Sequence, residues 1–88
     1  MRIQVTRTGG FAGHAKHAEL DTAARPDAPH VHALAREAMA GGLRAPSYGV
    51  PDGFHYEITV DGRTVYCADP KLTDSQRELV GLVMREGA

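Results

Sequence analysis

Phe54-His55-Tyr56-Glu57-Ile58-Thr59-Val60-Asp61-Gly62-Arg63-Thr64-Val65-Tyr66-Cys67 is the stretch whose reading decides the fold. Phe54, Tyr56, Ile58 and Val60 alternate with His55, Glu57, Thr59 and Asp61, the two-residue period of a strand with one buried face. Asp61-Gly62 is the dipeptide favoured in a two-residue type I′ turn, because both central residues there need positive φ. With that turn, Val60 faces Arg63, Thr59 faces Thr64, Ile58 faces Val65 and Tyr56 faces Cys67. Apolar residues then meet on one face and threonines on the other, and a slip of one residue would destroy the match. Tyr66 falls on the outward face beside Glu57.

Upstream, Arg2 to Thr8 alternates, with Ile3 and Val5 on one face and Gln4, Thr6 and Thr8 on the other. Ala15 to Thr22 alternates again, with Ala18 and Leu20 against His17, Glu19 and Asp21. These two segments predict a first antiparallel hairpin whose register the sequence leaves open. Asp27 then offers a helix N-cap and Pro29 sits within the first turn, where its missing N–H costs nothing. Val31, Leu34, Ala35, Ala38 and Met39 have the spacing of an amphipathic helix. Gly41-Gly42 is expected to end it in the left-handed conformation that glycine accepts. Leu43 to Gly53 reads as a surface crossing loop.

Downstream, Thr73-Asp74-Ser75-Gln76 is a capping box in which the Thr hydroxyl accepts from the Gln N–H and the Gln side chain reaches back. Leu79, Val80 and Val83, with Leu82 beside them, give the following helix an apolar stripe that ends near Gly87. The order is ββαββα. It predicts an α+β two-layer sandwich: a four-stranded antiparallel sheet with two helices on one face.

With 88 residues the chain reads as one domain, residues 1–88. Domains this small bury only about 60% of their unfolded surface. Apolar content of 42% and charge of 24% fit a soluble globular protein. No apolar run approaches the roughly 18 residues of a membrane span, and the N-terminus alternates instead of forming a signal-peptide block, so a cytoplasmic location is expected. A net charge of −1 with both signs interspersed gives no field for nucleic acid. Cys67 is the only cysteine, so no intramolecular disulfide forms, and its place in an apolar strand makes it a small core residue.

Five histidines invite a metal reading. His14 and His17, three apart at a loop end and on a strand, point to opposite faces. His30 and His32 at a helix start diverge by about 200°. Neither pair makes a two-His helical face and no further ligand completes a set. His-Glu-x-x-His, Gly-x-Ser-x-Gly and the phosphate-loop motif are absent, and no carboxylate pair is brought together for acid–base work. The sequence argues against an enzyme and calls for no cofactor.

What remains is Thr8-Gly9-Gly10-Phe11-Ala12-Gly13-His14. Three glycines in five positions carry a large backbone entropy cost on folding. The stretch leads into a strand and lacks the helix N-terminus that would hold an anion. Two readings stay open: a wide turn around a buried Phe11, or a binding loop offering bare backbone and one apolar knob. A second loop, Ser47-Tyr48-Gly49-Val50-Pro51, carries Tyr48 as either a partly buried plug or an anchor. Aromatics on loops are typical partner anchors, so an interaction protein is the expected class.

The run from Arg2 to Gly13, Phe54 to Val60, and the C-terminal Leu79-Val80-x-Leu82-Val83 together resemble the emfourin family over nearly the whole chain, with Gly9-Gly10-Phe11-Ala12-Gly13 the most specific part. The chain departs from the family in having only Ala45 to Gly53 where members carry a Pro-rich insertion, and His14 where an aliphatic residue is usual. The resemblance implies a small bacterial cytoplasmic inhibitor of thermolysin-like zinc peptidases of the protealysin type; a monomer when free is the expectation, although the sequence itself is silent on oligomeric state. It implies that the loop from Thr8 to Lys16 enters or covers the peptidase cleft with Phe11 as apolar anchor. The expected contact set is then Thr8, Gly9, Gly10, Phe11, Ala12, Gly13 and His14, with Tyr48 as a second contact. His14 approaching the catalytic zinc is an option that steric exclusion does not need. The alternative class is a regulatory or structural module that oligomerises through the outer sheet face or an edge strand.

Overall fold

The Asp61-Gly62 turn forms as its dipeptide requires, with φ of 48° at Asp61 and 86° at Gly62. The computed structural model describes residues 1–9, 15–46 and 53–88. Around that turn, strands β3 (Phe54–Val60) and β4 (Arg63–Ala68) pair in the register that the pattern predicts, from Val60 opposite Arg63 to Tyr56 opposite Cys67. The Thr59 and Thr64 hydroxyls hydrogen-bond across the outward face at 2.8 Å.

Strands β1 (Arg2–Gly9) and β2 (Lys16–Asp21) form the first hairpin, with Ile3 opposite Leu20 and Val5 opposite Ala18. The two hairpins join through β1, which also pairs antiparallel with β3, placing Ile3 opposite Val60 and Val5 opposite Ile58. The sheet order is β2-β1-β3-β4. Helices α1 (Ala28–Ala40) and α2 (Asp74–Glu86) cover one face, α2 over β2 and β1, α1 against α2 and β3. Ile3, Val5, Ile58, Val31, Ala35, Ala38, Leu79 and Val83 are fully enclosed between the layers. The expected ββαββα sandwich is the observed one.

Both sheet edges are met by a single residue from elsewhere. Leu43 exchanges two backbone hydrogen bonds of 2.8 Å with Tyr66 on β4. Ala88 does the same with Glu19 on β2, at 2.9 and 3.1 Å. The segment from Leu43 therefore begins as an edge extension of the sheet and not as free loop. Such bridges occupy backbone groups that an open edge would offer to another chain.

Two local expectations are corrected. Asp27 occupies the N-cap position of α1 but makes no side-chain cap. Its carboxylate is taken by Arg25, at 2.8 and 3.0 Å, and the same guanidinium reaches Glu86 at 3.0 Å, tying the approach to α1 to the end of α2. An arginine fork matches a carboxylate better than a single amide does. Gly41, at the C-cap, stays right-handed with φ −86°, and Gly42 is not left-handed either. Gly42 is required for space, since a Cβ there would collide with the Val65 side chain.

The capping box on α2 is complete. Gln76 N–H donates to Thr73 Oγ1 at 3.1 Å, and Thr73 N–H donates to Gln76 Oε1 at 2.9 Å. Gln76 is 1% exposed, and its Nε2 donates to the Ala38 carbonyl of α1 at 3.1 Å. One side chain thus starts α2 and satisfies a carbonyl left open in the last turn of α1. Replacing Gln76 with Ala removes both bonds and leaves a buried carbonyl without its donor, an expected loss of about 2 kcal/mol. Thermal unfolding should show a fall in Tm of roughly 8–16 °C for a domain of this size. Thr73→Ala should cost about 1 kcal/mol, and the double variant less than the sum, because the two residues share one cap.

Candidate functional site

Gly9 ends β1 with φ 86°, in the left-handed region, and a Cβ there would stand 2.8 Å from the Gly53 carbonyl oxygen and 3.3 Å from the His55 ring. Only glycine meets both demands. Gly9 lies opposite Phe54 in the β1–β3 ladder, so the chain leaves β1 toward residues 10–14 directly beside the point where it arrives from residues 47–52. Gly9 and Gly53, the described residues that border these two stretches, therefore lie side by side at one end of the sheet.

On the inward face of that end, Arg7 lies over the Phe54 ring, 4.5 Å from its centroid. Such a cation–π contact contributes about 1 kcal/mol when partly exposed. The Arg7 Nε is buried and has no acceptor among the described residues. Phe54 packs in turn against Tyr56, centroids 6.3 Å apart. The Phe54 backbone is clamped by Asp69, whose carboxylate accepts from Phe54 N–H at 3.1 Å and whose N–H donates to Phe54 O at 2.9 Å. Burial, and then the Asp69 charge, push the Tyr56 phenol above its ordinary range. This stack lies at the sheet end where Gly9 stands opposite Phe54.

On the outward face, Thr8 is exposed and lies opposite His55. A shallow hollow of about 160 Å³ opens there, lined by Thr6, Thr8, Pro46, His55, Glu57 and Tyr66. Thr6 Oγ1 and His17 Nδ1 share a hydrogen bond of 2.9 Å at its side. Of the expected contact set, Thr8 and Gly9 are placed at this end. Gly10, Phe11, Ala12, Gly13, His14 and Tyr48 lie outside the described residues.

Sequence reasoning passed over Arg7, Gly53, Phe54 and His55. A signal existed for Arg7: it is in phase with Ile3 and Val5, and a cation at an inward strand position needs a partner. Nothing local marks Gly53, whose role depends on a strand 44 positions earlier in the chain.

The other reactive groups are accounted for by packing. His32 Nε2 shares a 2.7 Å hydrogen bond with the buried Thr22 hydroxyl, and His30 pairs with Glu78 at 3.7 Å on the surface. No group of three or more His, Cys, Asp or Glu among the described residues could hold a metal ion. Cys67 is a buried core residue, as its strand position predicts. Burial, with a smaller push from Asp69, raises its thiol to about 11.

Residues 5–84 match the family described as Emfourin. The chain belongs to the emfourin family. The match runs from within β1 to within α2 and includes Gly9 and Gly53. Membership is consistent with a role as a metallopeptidase inhibitor and implies a protease as partner in general. No curated protein and no solved structure matches the chain.

Two outcomes follow from this geometry. Gly9→Ala forces a side chain into left-handed backbone against a carbonyl, and calorimetry should register a loss of about 2 kcal/mol. The Cys67 thiol keeps its proton in the folded emfourin to a higher pH than in the unfolded chain. Stability from this group is therefore full below about pH 9 and is lost as pH rises toward 11. Urea unfolding at pH 8 and pH 10.5 should show a steeper alkaline decline for the native chain than for Cys67→Ala.

Proposed function

We propose that this emfourin inhibits a thermolysin- or protealysin-like zinc metallopeptidase by seating its glycine-rich loop in the active-site cleft. The observation that carries the reading is the close approach of Gly9 to the Gly53 carbonyl, which brings together the described ends of the two stretches in a chain of an inhibitor family. Phe11, flanked by glycines that keep neighbouring side chains out of the way, is the apolar anchor for a pocket that takes bulky apolar residues. Gly10 and Gly13 offer bare backbone around it, Ala12 and His14 complete the contact, and Tyr48 makes the second contact. The inhibitor blocks substrate sterically, carries out no catalysis of its own, and works as a monomer in the bacterial cytoplasm.

The alternative, association through the sheet, is less favoured by the geometry. Leu43 and Ala88 occupy part of each edge, and on the outward face Gln4 with Glu19, Thr6 with His17, and Thr59 with Thr64 pair among themselves. A face of mutually satisfied polar side chains gains little from burial.

The test is an inhibition titration of a protealysin-type peptidase with Phe11→Ala and Gly10→Ala, folding checked by circular dichroism. Loss of a central aromatic anchor at an interface costs about 2 kcal/mol or more, so Phe11→Ala should raise the inhibition constant about thirtyfold. Unchanged constants for both variants would sink the loop reading.

A further inference from the structure

The opposite end of the sheet carries a second open groove, of about 400 Å³, lined by Met1, Ala35, Arg36, Met39, Val60 and Arg63, together with Ala40. Met1 precedes β1 and Gly9 ends it, so this groove lies roughly 26 Å from the loop anchors at about 3.3 Å per strand residue. Its floor is apolar: Ala35 is fully buried, and Met1, Met39 and Val60 are half-buried against the core. Its charges are of one sign. Arg36 comes from α1 and Arg63 from β4, both exposed, and neither makes an ion pair among the described residues. The neighbouring carboxylates are engaged elsewhere. Asp61 accepts from Arg2 N–H at 2.9 Å, and Glu37 accepts from Ser75 Oγ at 2.8 Å toward α2.

We propose that this groove docks a segment of another protein in which carboxylates flank apolar side chains. In a chain of net charge −1, two unpaired guanidiniums beside an apolar floor select an anionic, amphipathic occupant. The guanidinium forks take the carboxylates and the methionines adapt to the apolar part. Because the groove is open, a small free carboxylate would leave much of its surface in water, whereas small-molecule sites enclose most of their ligand. A protein segment brings its own scaffold to cover the rest. The proposal does not depend on the inhibitor reading: a loop end seated in a peptidase leaves this end free to hold a second partner.

The test follows backbone and methyl NMR shifts of the full chain on adding an acetylated, amidated peptide of two leucines between two glutamates. Shifts should cluster at Ala35, Arg36, Met39, Val60 and Arg63, and the affinity should fall as salt rises. Arg36→Glu with Arg63→Glu should weaken binding at least tenfold, while Arg36→Lys with Arg63→Lys retains most of it. A peptide with lysines in place of the glutamates should leave the groove unmoved. No shift at millimolar peptide, equal binding of the lysine peptide, or shifts confined to the loop end would overturn the proposal. Octanoate binding as tightly as the peptide would make the groove a small-molecule site instead. Sedimentation showing self-association that Arg36→Glu abolishes would make its occupant a second copy, and would overturn it equally.

Discussion

The pairing of β1 with two strands at once is the constraint on which the rest of this emfourin depends. β2 takes its register from one side of β1 and β3 from the other. The inward residues of β1, Ile3 and Val5, are fully buried beneath the helices. A central strand has no freedom to slide, because a one-residue slip would turn both of those side chains to the solvent face. The same ladder fixes where β1 stops. Gly9 turns left-handed against the Gly53 carbonyl, so the end of β1 and the start of β3 meet at one point.

Helix placement follows from the sheet. α2 lies over β2 and β1, and Gln76 links its first turn to the last turn of α1 through a single buried amide. Arg25 makes a second link at the other end of α2 by joining Asp27 and Glu86. The helical face is thereby pinned at both ends, while the loop end is steadied by the Arg7–Phe54–Tyr56 stack.

How much of this was legible depended on distance along the chain. The β3–β4 hairpin was readable to the residue because its turn, its alternation and its cross-strand pairs are local and agree. The Thr73–Gln76 box was readable for the same reason. The first hairpin was readable as two strands but not in register, since seven residues with three glycines specify no single turn. The β1–β3 pairing, the Gln76 bond to Ala38 and the Gly53 approach to Gly9 join residues 38 to 57 positions apart or about that, and no local pattern encodes them. Asp27 and Gly42 were assigned the wrong reasons. Arg25 outcompeted the helix N–H groups for the Asp27 carboxylate, and Gly42 answers to the bulk of Val65 on a strand that lies 21 positions or more away. Glycine at a helix end has two explanations, conformation and space, and only the packed structure separates them.

The most direct measurement of the central claim is hydrogen exchange on the chain alone and in complex with a protealysin-type peptidase. The account predicts new protection confined to peptides covering residues 8–16 and 45–55, with α1 and α2 exchanging as in the free chain. New protection across α1 and α2, with the glycine-rich stretch exchanging as before, would contradict it.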